Sequence, residues 1–421
     1  MKNVLILSYY FPPQGMGGTQ RIASFAEHLP KYGWQPHILT VKDIVYHAYD
    51  ETPLTRLASV SITRTESLDP NRLLARFLGP TASKGNVQSG RLHFIKKIAL
   101  RCINFFIVPD NKVLWTLKAS KPAKLLLESK QFDCILSSGP PHSSHLFAMK
   151  LARKYRLPWV ADFRDGWASG DFQPNSTWLH RKIDAYLQQK VIQSASHVIT
   201  VSSGLEEAIK KFENKKVTTI TNGYDATLFQ TPYEDTALFQ ILHVGSVGNF
   251  VQVDNFLQSA QLFKKEKGNN AFRIRFIGAD LTGKLAEKIS AAGLSAVVEH
   301  AGYLSHAAVT AALQKADLLV YIVSGNPSTG FIPGKTFEYL ASGRPILAIA
   351  QKIEGVQLLL QGRVTQQVNP EDVESIHKAL RSFYDAYHKK QPMKLDLNFI
   401  QGFERKKLVE KLAAVLDAVV R

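Results

Sequence analysis

Two stretches of the sequence run from an apolar strand through a glycine-bearing loop into a helical pattern. The first covers residues 4–8, a loop that ends at Gly18, and a helical pattern that begins at Thr19. The second begins at Gln240, after a segment around 230–235 that has little periodicity. Strand, loop, helix and strand in this order predict a parallel doubly wound sheet. We therefore expect an α/β protein with two Rossmann-like domains that face each other across a cleft.

The chain has 421 residues, which are too many for one small core. The remaining apolar runs and turns are consistent with two domains. We predict domains at 1–232 and 238–395 and a closing amphipathic helix at 400–421. Residues 50–90 are rich in Gly, Ser, Thr and Pro and are predicted to form a loop or insertion. Further strands are predicted at 134–136, 159–161, 197–201, 217–221, 273–277, 297–299, 318–323 and 345–349.

Positive charge is concentrated in one part of the chain. The formal net charge is +17, and residues 72–124 hold eleven Lys or Arg residues against one acid, Asp110. Within them, residues 92–106 have apolar positions at helical spacing, with Lys96, Lys97 and Arg101 between them. Such a segment suits an anionic membrane surface, nucleic acid or a polyanionic glycan, or it is a solvated basic face. We hypothesise peripheral binding to a membrane and expect no nucleic acid partner.

The sequence also bears on the compartment. The apolar run at residues 4–7 is too short for a secretory signal, and no uncharged stretch approaches the ~20 residues that a membrane span needs. Cys102 and Cys134 lie in apolar surroundings, which suits buried thiols in a reducing compartment. We expect a cytoplasmic protein, with peripheral association at the inner face of the cell membrane as a hypothesis.

The first glycine loop is a candidate phosphate site. Gly15, Gly17 and Gly18 let the backbone approach a ligand, and the start of the following helix favours negative charge. The loop lacks the third glycine of G-x-G-x-x-G, so a nicotinamide dehydrogenase is poorly supported. A plain glycine turn is the alternative.

Three polar residues follow predicted strands of the first domain, where ligands of doubly wound sheets bind. His142 follows one strand and could bind a substrate hydroxyl, although a lone histidine is more often structural. Asp162 and Arg164 follow the next strand beside aromatic residues. They would line a site or form a structural ion pair.

Residues 332–343 are the most specific segment. Pro333 and Gly343 frame a short helix, and Lys335 and Glu338 are three residues apart on it. The lysine lies near the positive end of the helix, where it could hold a diphosphate. The glutamate could accept hydrogen bonds from a ribose diol. A surface ion pair is the alternative.

Several kinds of catalytic site have no sequence signal. The chain has no D-x-D sequence, no Cys/His cluster with zinc spacing, no P-loop and no nucleophile elbow. We therefore expect neither a bound catalytic metal nor a cofactor.

Taken together, the motifs resemble those of the family-4 glycosyltransferases of the GT-B fold, over essentially the full length. The resemblance is carried by these residues and segments: Tyr9, Phe11-Pro12-Pro13, Gly17-Gly18, Pro140-Pro141-His142-Ser143, Asp162-Phe163-Arg164-Asp165, Val201-Ser202, Thr221-Asn222-Gly223-Tyr224-Asp225, Val244-Gly245-Ser246, Lys335, Glu338-Tyr339-Leu340-Ala341-Ser342-Gly343 and the closing helix.

The resemblance implies a retaining, metal-independent transferase that takes its sugar from a nucleotide-sugar donor, which is a substrate rather than a cofactor. The acceptor, a glycan or lipid-linked glycan, would bind the first domain and the donor the second. The leaving phosphate would take the acceptor proton. The expected catalytic residues are His142, Asp162, Arg164 and Lys335. The expected donor-binding residues are Gly17, Gly18, Arg21, Ser246, Tyr303, Lys335 and Glu338.

The sequence departs from the family pattern at two places. The first acid of the paired-glutamate motif should stand eight residues before Glu338, where the chain has Gly330. The usual cations after the Gly-Ser loop are absent from 247–252. Lys335, together with Arg21, would then have to neutralise the diphosphate.

These departures leave other functions open. The main prediction is a glycosyltransferase of cell-surface polysaccharide synthesis. A catalytically inactive GT-B protein that binds a glycan or partner is the alternative. A GT-B sugar-nucleotide epimerase is a further alternative, but the acids and histidine that it needs are not recognisable.

Overall fold

A computed structural model describes residues 1–15, 17–42, 49–70, 105, 107–167, 177–212, 216–229, 238–248, 251–325, 327, 330–362, 365–390 and 395–420. The chain forms two compact units. The first comprises Met1–Thr221 together with Leu408–Arg421, and the second comprises Asn222–Lys407. The predicted helix at 92–106 lies outside the described residues except for Phe105, as does Cys102. Cys134 is a buried free thiol.

The described part of the first unit contains a parallel sheet of seven strands in the order β3-β2-β1-β4-β5-β6-β7. The strands are β1 (Lys2–Leu7), β2 (Trp34–Val41), β3 (Ser61–Thr65), β4 (Cys134–Gly139), β5 (Trp159–Phe163), β6 (His197–Thr200) and β7 (Val217–Thr219). The helices are α1 (Gly17–His28), α2 (Thr52–Thr55), α3 (Val113–Ser129), α4 (Ser143–Tyr155), α5 (Trp178–Ser194), α6 (Ser203–Lys210) and the closing helix, numbered α14 (Arg405–Val420).

Strand β1, in the interior of the sheet, shows why helices cover both faces. Val4 and Ile6 belong to one buried cluster, and Leu5 and Leu7 belong to the other. Successive side chains of a strand point to opposite faces, so a continuous apolar strand needs a cover on each side. Helix α14 supplies apolar residues to the first cluster, while α3, α4 and α5 supply the second.

The described part of the second unit contains a parallel sheet of six strands in the order β10-β9-β8-β11-β12-β13. The strands are β8 (Phe239–Val244), β9 (Phe272–Ile277), β10 (Val298–His300), β11 (Leu318–Val323), β12 (Ile346–Ala350) and β13 (Thr365–Val368). The helices are α7 (Asp254–Lys267), α8 (Leu285–Ala291), α9 (His306–Lys315), α10 (Lys335–Ser342), α11 (Glu354–Gln361), α12 (Val373–His388) and α13 (Leu397–Gln401).

These sheets confirm the prediction of two Rossmann-like parallel-sheet domains. The prediction of an irregular segment at 50–90 is wrong for its first part, because α2 and the edge strand β3 lie there. Strand β3 has only five residues and is mostly half-exposed, so its apolar signal is weak. In the described part of the chain, no helix combines the length and apolar character needed to cross a membrane.

Candidate functional site

The candidate residues of the first unit lie where neighbouring strands end. Helix α1 follows β1, His142 follows β4, and Arg164 follows β5. The strand order places β1, β4 and β5 side by side, and β1 and β4 are the point where the chain changes direction across the sheet. Ligands of doubly wound folds bind at such a point. Gly17 and Gly18 were predicted to lie in the loop, but they are the first two residues of α1.

Arg21 and Asp162 form a buried ion pair at this edge. The Arg21 Nη2 atom donates to Asp162 Oδ1 at 2.8 Å, and Nε lies 3.1 Å from Oδ2. Asp162 also accepts a hydrogen bond from Ser138 Oγ at 2.8 Å. The Arg21 Nη1 atom donates to the backbone carbonyls of Ile220 and Thr221. Arg21 is thus held inside the first unit by groups of that unit.

Arg164 reaches from the end of β5 to the loop after β4 and to the start of α1. Its Nε donates to Gly139 O at 3.2 Å, and Nη2 donates to Pro140 O. A Cβ built on Gly18 would lie 2.1 Å from Arg164 Nη1. Burial lowers the pKa of Arg164, against the nearby charges of Asp165 and Asp162. The guanidinium therefore occupies the space that only a glycine at position 18 leaves open.

His142 is stacked on an aromatic ring. Its ring centroid lies 4.6 Å from that of Trp167, with 1° between the planes. Trp167 is fixed in turn by a hydrogen bond from Nε1 to Asp184 Oδ1. The His142 Nδ1 atom is buried and has no hydrogen-bond partner among the described residues. Burial, with the nearby His145 and Arg164, holds the pKa of His142 well below its usual value. His142 is therefore a neutral imidazole that can bind a hydroxyl but carries no charge.

His145 was not predicted. Its Nδ1 lies 2.8 Å from Ser137 Oγ, which itself accepts a hydrogen bond from Trp159 Nε1. Burial, with the charge of Arg164, lowers the pKa of His145 to about 3. Its position three residues after His142 on one helix was the available sequence signal.

In the second unit, Lys335 is the first residue of α10. Its Nζ is buried and has no hydrogen-bond partner among the described residues. The ammonium lies over the rings of Tyr321 and Tyr339, at 5.1 and 5.8 Å from their centroids. It lies 3.4 Å from where a Cβ on Gly245 would be, beside the loop after β8. Burial lowers the pKa of Lys335 to about 7.

His243, near the end of β8, was also not predicted. Its Nδ1 donates to Val320 O at 2.9 Å, which leaves Nε2 as an acceptor. That Nε2 atom is buried and has no hydrogen-bond partner in the described part of the chain. Burial and the charge of Lys335 hold the pKa of His243 well below its usual value. The loop after β8 is therefore bordered by a cation and a neutral imidazole.

Glu338 does not pair with Lys335, which excludes the surface ion pair considered above. Its Oε1 lies 2.6 Å from His306 Nε2 and 4.0 Å from Arg405 Nη2. Burial alone would raise the pKa of Glu338, but the hydrogen bond and charge of His306 and the charge of Arg405 bring it below its usual value. Neither partner was predicted, since His306 is 32 residues away in sequence.

The other predicted donor residues lie in loops of the same unit. Ser246 is exposed after Gly245, and Tyr303 is 45% exposed between β10 and α9. A Cβ on Gly278 would lie 2.3 Å from Gly245 O, and both glycines have positive φ angles. The loops after β8 and β9 therefore approach each other through their backbones, and this close approach requires glycine.

The structure also shows where the two departures from the family motif lie. Gly330 lies in a turn shortly before Ile332. In the loop after β8, Val247 is buried and the backbone N–H of Gln252 donates to Ser324 Oγ at 2.8 Å. Among the described residues, no group of three or more His, Cys, Asp or Glu side chains is placed to hold a metal ion.

Comparison with known proteins identifies similarity in both units. The family model for Glycosyltransferase Family 4 matches residues 16–228. The model for Glycosyl transferases group 1 matches residues 239–386. No curated protein sequence matches the chain.

Solved structures share the fold at low sequence identity. HepE of Anabaena, in complex with UDP and glucose, is 13% identical with a TM-score of 0.65 and covers 99% of this chain and 100% of its own. A glycosyltransferase of Rickettsia africae is 13% identical with a TM-score of 0.63, covering 100% of this chain and 99% of its own. A TarM variant of S. aureus, in complex with Fondaparinux, alpha-GlcNAc-glycerol and UDP, is 11% identical with a TM-score of 0.62, covering 99% and 100%. The predicted GT-B fold is confirmed.

Proposed function

The chain belongs to glycosyltransferase family 4, and we propose that it moves a sugar from a nucleotide-sugar donor to a glycan or lipid-linked glycan acceptor with retention of configuration. The family makes it a glycosyltransferase. The proposal adds the donor-site residues, the stereochemistry and the acceptor, and it assigns the reaction to cell-surface polysaccharide synthesis.

The observation that carries the donor site is the buried amine of Lys335. Removing an ammonium from water without a partner is costly, and its pKa of about 7 reflects that cost. An anion beside Gly245 would supply the missing partner and raise the pKa again. The donor diphosphate has the required charge, and the start of α10 adds backbone amides that favour it. We therefore assign Lys335 to the diphosphate.

Glu338, one turn further along α10, is assigned to the nucleotide ribose. Its carboxylate is kept ionised by His306 and Arg405, so it can accept hydrogen bonds from hydroxyl groups. His306 contacts Oε1, which leaves Oε2 for the ribose diol. Ser246 and Tyr303 are kept as proposed donor contacts from the neighbouring loops.

In the first unit, His142 and Arg164 are assigned to the transferred sugar and the acceptor. His142 offers a neutral ring nitrogen to a hydroxyl. Arg164 offers positive charge beside Gly18, at the start of α1. Asp162 and Arg21 satisfy each other and are positioning residues in this proposal. Arg21 therefore gives up the diphosphate role that the motif pattern suggested for it.

The proposed chemistry needs no protein nucleophile and no metal. The bond from the sugar to the diphosphate breaks as the acceptor oxygen bonds to the same face of the sugar. The acceptor proton passes to the leaving phosphate. Lys335 stabilises the charge that grows on that phosphate, which is a stabilisation that increases in the transition state.

UDP-sugars are the first donors to examine, because HepE binds UDP with glucose and the TarM variant binds UDP with glycan ligands. A panel of nucleotide sugars should be screened for thermal stabilisation of the protein. A ligand at 100 times its dissociation constant adds about 2.7 kcal/mol to the free energy of unfolding. The stabilising donor is then incubated with lipid-linked and soluble glycan acceptors.

Product analysis separates the alternatives. A transferase releases the nucleotide and forms a new glycosidic bond, whose anomeric configuration NMR reports. An inactive binding protein would be stabilised without nucleotide release. An epimerase would change the sugar without an acceptor. Inversion at the anomeric carbon would contradict the proposed retention.

We further propose that the protein works in the cytoplasm, where nucleotide sugars are made, and that it meets a lipid-linked acceptor at the inner membrane face. Fractionation of cells with a tagged full-length chain tests this proposal. Recovery only outside the cytoplasm and its membrane would contradict it.

A further inference from the structure

Helix α5 (Trp178–Ser194) presents apolar side chains to solvent. Trp178 is 63% exposed, Leu179 51%, Ile183 36% and Tyr186 55%. Their spacing along the helix places them on one side of it. Four large apolar side chains together on one exposed helix face are unusual for the surface of a protein and mark an interaction site.

The exposed charged residues of α5 are all positive. Arg181, Lys182 and Lys190 are exposed, while the only acid of the helix, Asp184, is buried against Trp167. The Lys182 ammonium lies 5.1 Å from the Trp178 ring, and that of Lys190 lies 4.7 Å from the Tyr186 ring. Cations therefore stand beside the exposed aromatic rings.

The neighbouring helices continue this surface. Helices α3, α4 and α5 pack on the same face of the first sheet, and α4 contacts both of the others. Exposed cations on α3 and α4 are Lys118, Lys121, Lys124, Lys150, Arg153 and Lys154. Helix α3 also exposes Leu117 and Leu125. Glu128, the acid at the surface of these two helices, lies 3.9 Å from Lys124.

We propose that this docking face, the outer side of α3, α4 and α5, binds the surface of an anionic lipid bilayer. Lysines and arginines would meet lipid phosphates, while Trp178, Leu179 and Ile183 would enter the boundary between headgroups and acyl chains. Aliphatic side chains favour a bilayer over a polyanionic glycan, which offers them nothing apolar. Docking itself does not depend on the reaction. Docking would bring the protein to a lipid-linked acceptor, and this role rests on the proposed function.

Phe105, the one described residue of the helix predicted at 92–106, lies beside this face. Phe105 is 46% exposed, and its carbonyl oxygen accepts a hydrogen bond from His180 Nε2 at 2.7 Å. Phe105 therefore contacts the first turn of α5.

The tryptophans provide a direct measurement. The chain has five, and Trp34, Trp115, Trp159 and Trp167 are fully buried, so Trp178 is the exposed one. We expect the full-length protein to sediment with vesicles of phosphatidylglycerol and phosphatidylcholine, but not with phosphatidylcholine alone. Acyl chains brominated near the headgroup should quench Trp178 fluorescence, and a Trp178→Phe variant should lose this quenching.

Charge and apolar variants separate the two parts of the docking face. The double variant Lys182→Glu, Lys190→Glu should need more than about tenfold more anionic lipid to reach the same bound fraction. Each lysine near an anionic surface raises the membrane-binding constant by about fivefold. Trp178→Ser should weaken binding more at high salt than at low salt, because salt screens the charge attraction and leaves the apolar contacts. The controls are Lys265→Glu with Lys315→Glu, and Leu397→Ser, which change exposed residues of the second unit.

Circular dichroism checks that every variant folds. The proposal is overturned if the protein stays in the supernatant when it is mixed with anionic vesicles at low salt. It is also overturned if the protein sediments with the vesicles but Trp178 fluorescence is not quenched. Equal loss of binding in the second-unit controls also overturns it. None of these results bears on nucleotide-sugar turnover, which is measured separately with a soluble acceptor analogue.

Discussion

His306 Nε2 lies 2.6 Å from Oε1 of Glu338, so a histidine already occupies one oxygen of the carboxylate assigned to the ribose. His306 begins α9 and Glu338 lies in the first turn of α10. This contact fixes the orientation of the carboxylate before any ligand binds. A preorganised acceptor loses less entropy when the ribose hydroxyls arrive.

Glu338→Ala should weaken the binding of the nucleotide-sugar donor identified by the thermal screen by at least about tenfold, because charge-assisted hydrogen bonds are worth about 1.5–3 kcal/mol each. Calorimetry measures the dissociation constant. Glu287→Ala, which removes an exposed glutamate from the first turn of α8, is the matched control. Wild-type affinity in a folded Glu338→Ala protein would remove this residue from the donor site.

The pKa of Lys335 predicts a pH dependence of donor binding. Because burial holds this pKa at about 7, the free protein loses the Lys335 charge as pH rises above that value. A diphosphate binds the charged form, so binding above pH 7 must take up a proton. The dissociation constant of the nucleotide-sugar donor should then rise by up to about tenfold per pH unit.

Calorimetry in buffers of different ionisation enthalpy measures that proton uptake directly. Lys335→Met should bind weakly with no such uptake, while Lys284→Met, an exposed lysine before α8, should behave like the wild type. Proton uptake that persists in Lys335→Met would assign the titration to another group.

Gly18→Ala should lower turnover by displacing Arg164. The new Cβ would lie 2.1 Å from Nη1, and two backbone carbonyls hold this guanidinium in place. Gly18→Ala and Arg164→Ala should each reduce kcat. The double variant should be no worse than Arg164→Ala, since the clash disappears with the side chain. Additive losses would show that Gly18 acts independently of Arg164.

Arg21→Met should destabilise the protein without changing donor affinity. Asp162 would be left as an uncompensated buried charge, which costs about 3–5 kcal/mol. Chemical denaturation measures the loss, and calorimetry measures donor binding to the protein that remains folded. A selective loss of affinity for the nucleotide-sugar donor at wild-type stability would restore Arg21 to the diphosphate site.

Activity should survive a chelator, because the proposed chemistry uses Lys335 where a metal ion would otherwise neutralise the diphosphate. Initial rates are compared in EDTA and after addition of magnesium or manganese. Loss of activity in EDTA with recovery on adding metal would contradict metal independence.

The sequence predicts the central strands well for a physical reason. Strands such as β11, which is Leu318–Val323, are buried on both faces and give continuous apolar runs. Short edge strands such as β3 and β13 are partly exposed, so their pattern resembles a loop.

The candidate site follows a similar division. The glycines, Lys335 and Glu338 could be found because each motif is continuous along the chain. The partners of Glu338 could not, because the fold brings His306 and Arg405 to it from distant segments. For the same reason, the pattern could not show that Arg21 is already paired with Asp162.

Helix α14 has a consequence for the order of events during synthesis. Its residues Leu408, Leu412 and Leu416 complete the cluster that holds Val4 and Ile6, and Asp417 accepts a hydrogen bond from Lys2 at 2.7 Å. The ribosome makes the whole second unit before this helix, which takes roughly ten to forty seconds at typical elongation rates. During that delay, α1 is the helix already made on this side of the first sheet, and the part of the cluster that α14 covers stays exposed. The nascent chain is then most exposed to chaperones and proteases while its second half is already able to fold.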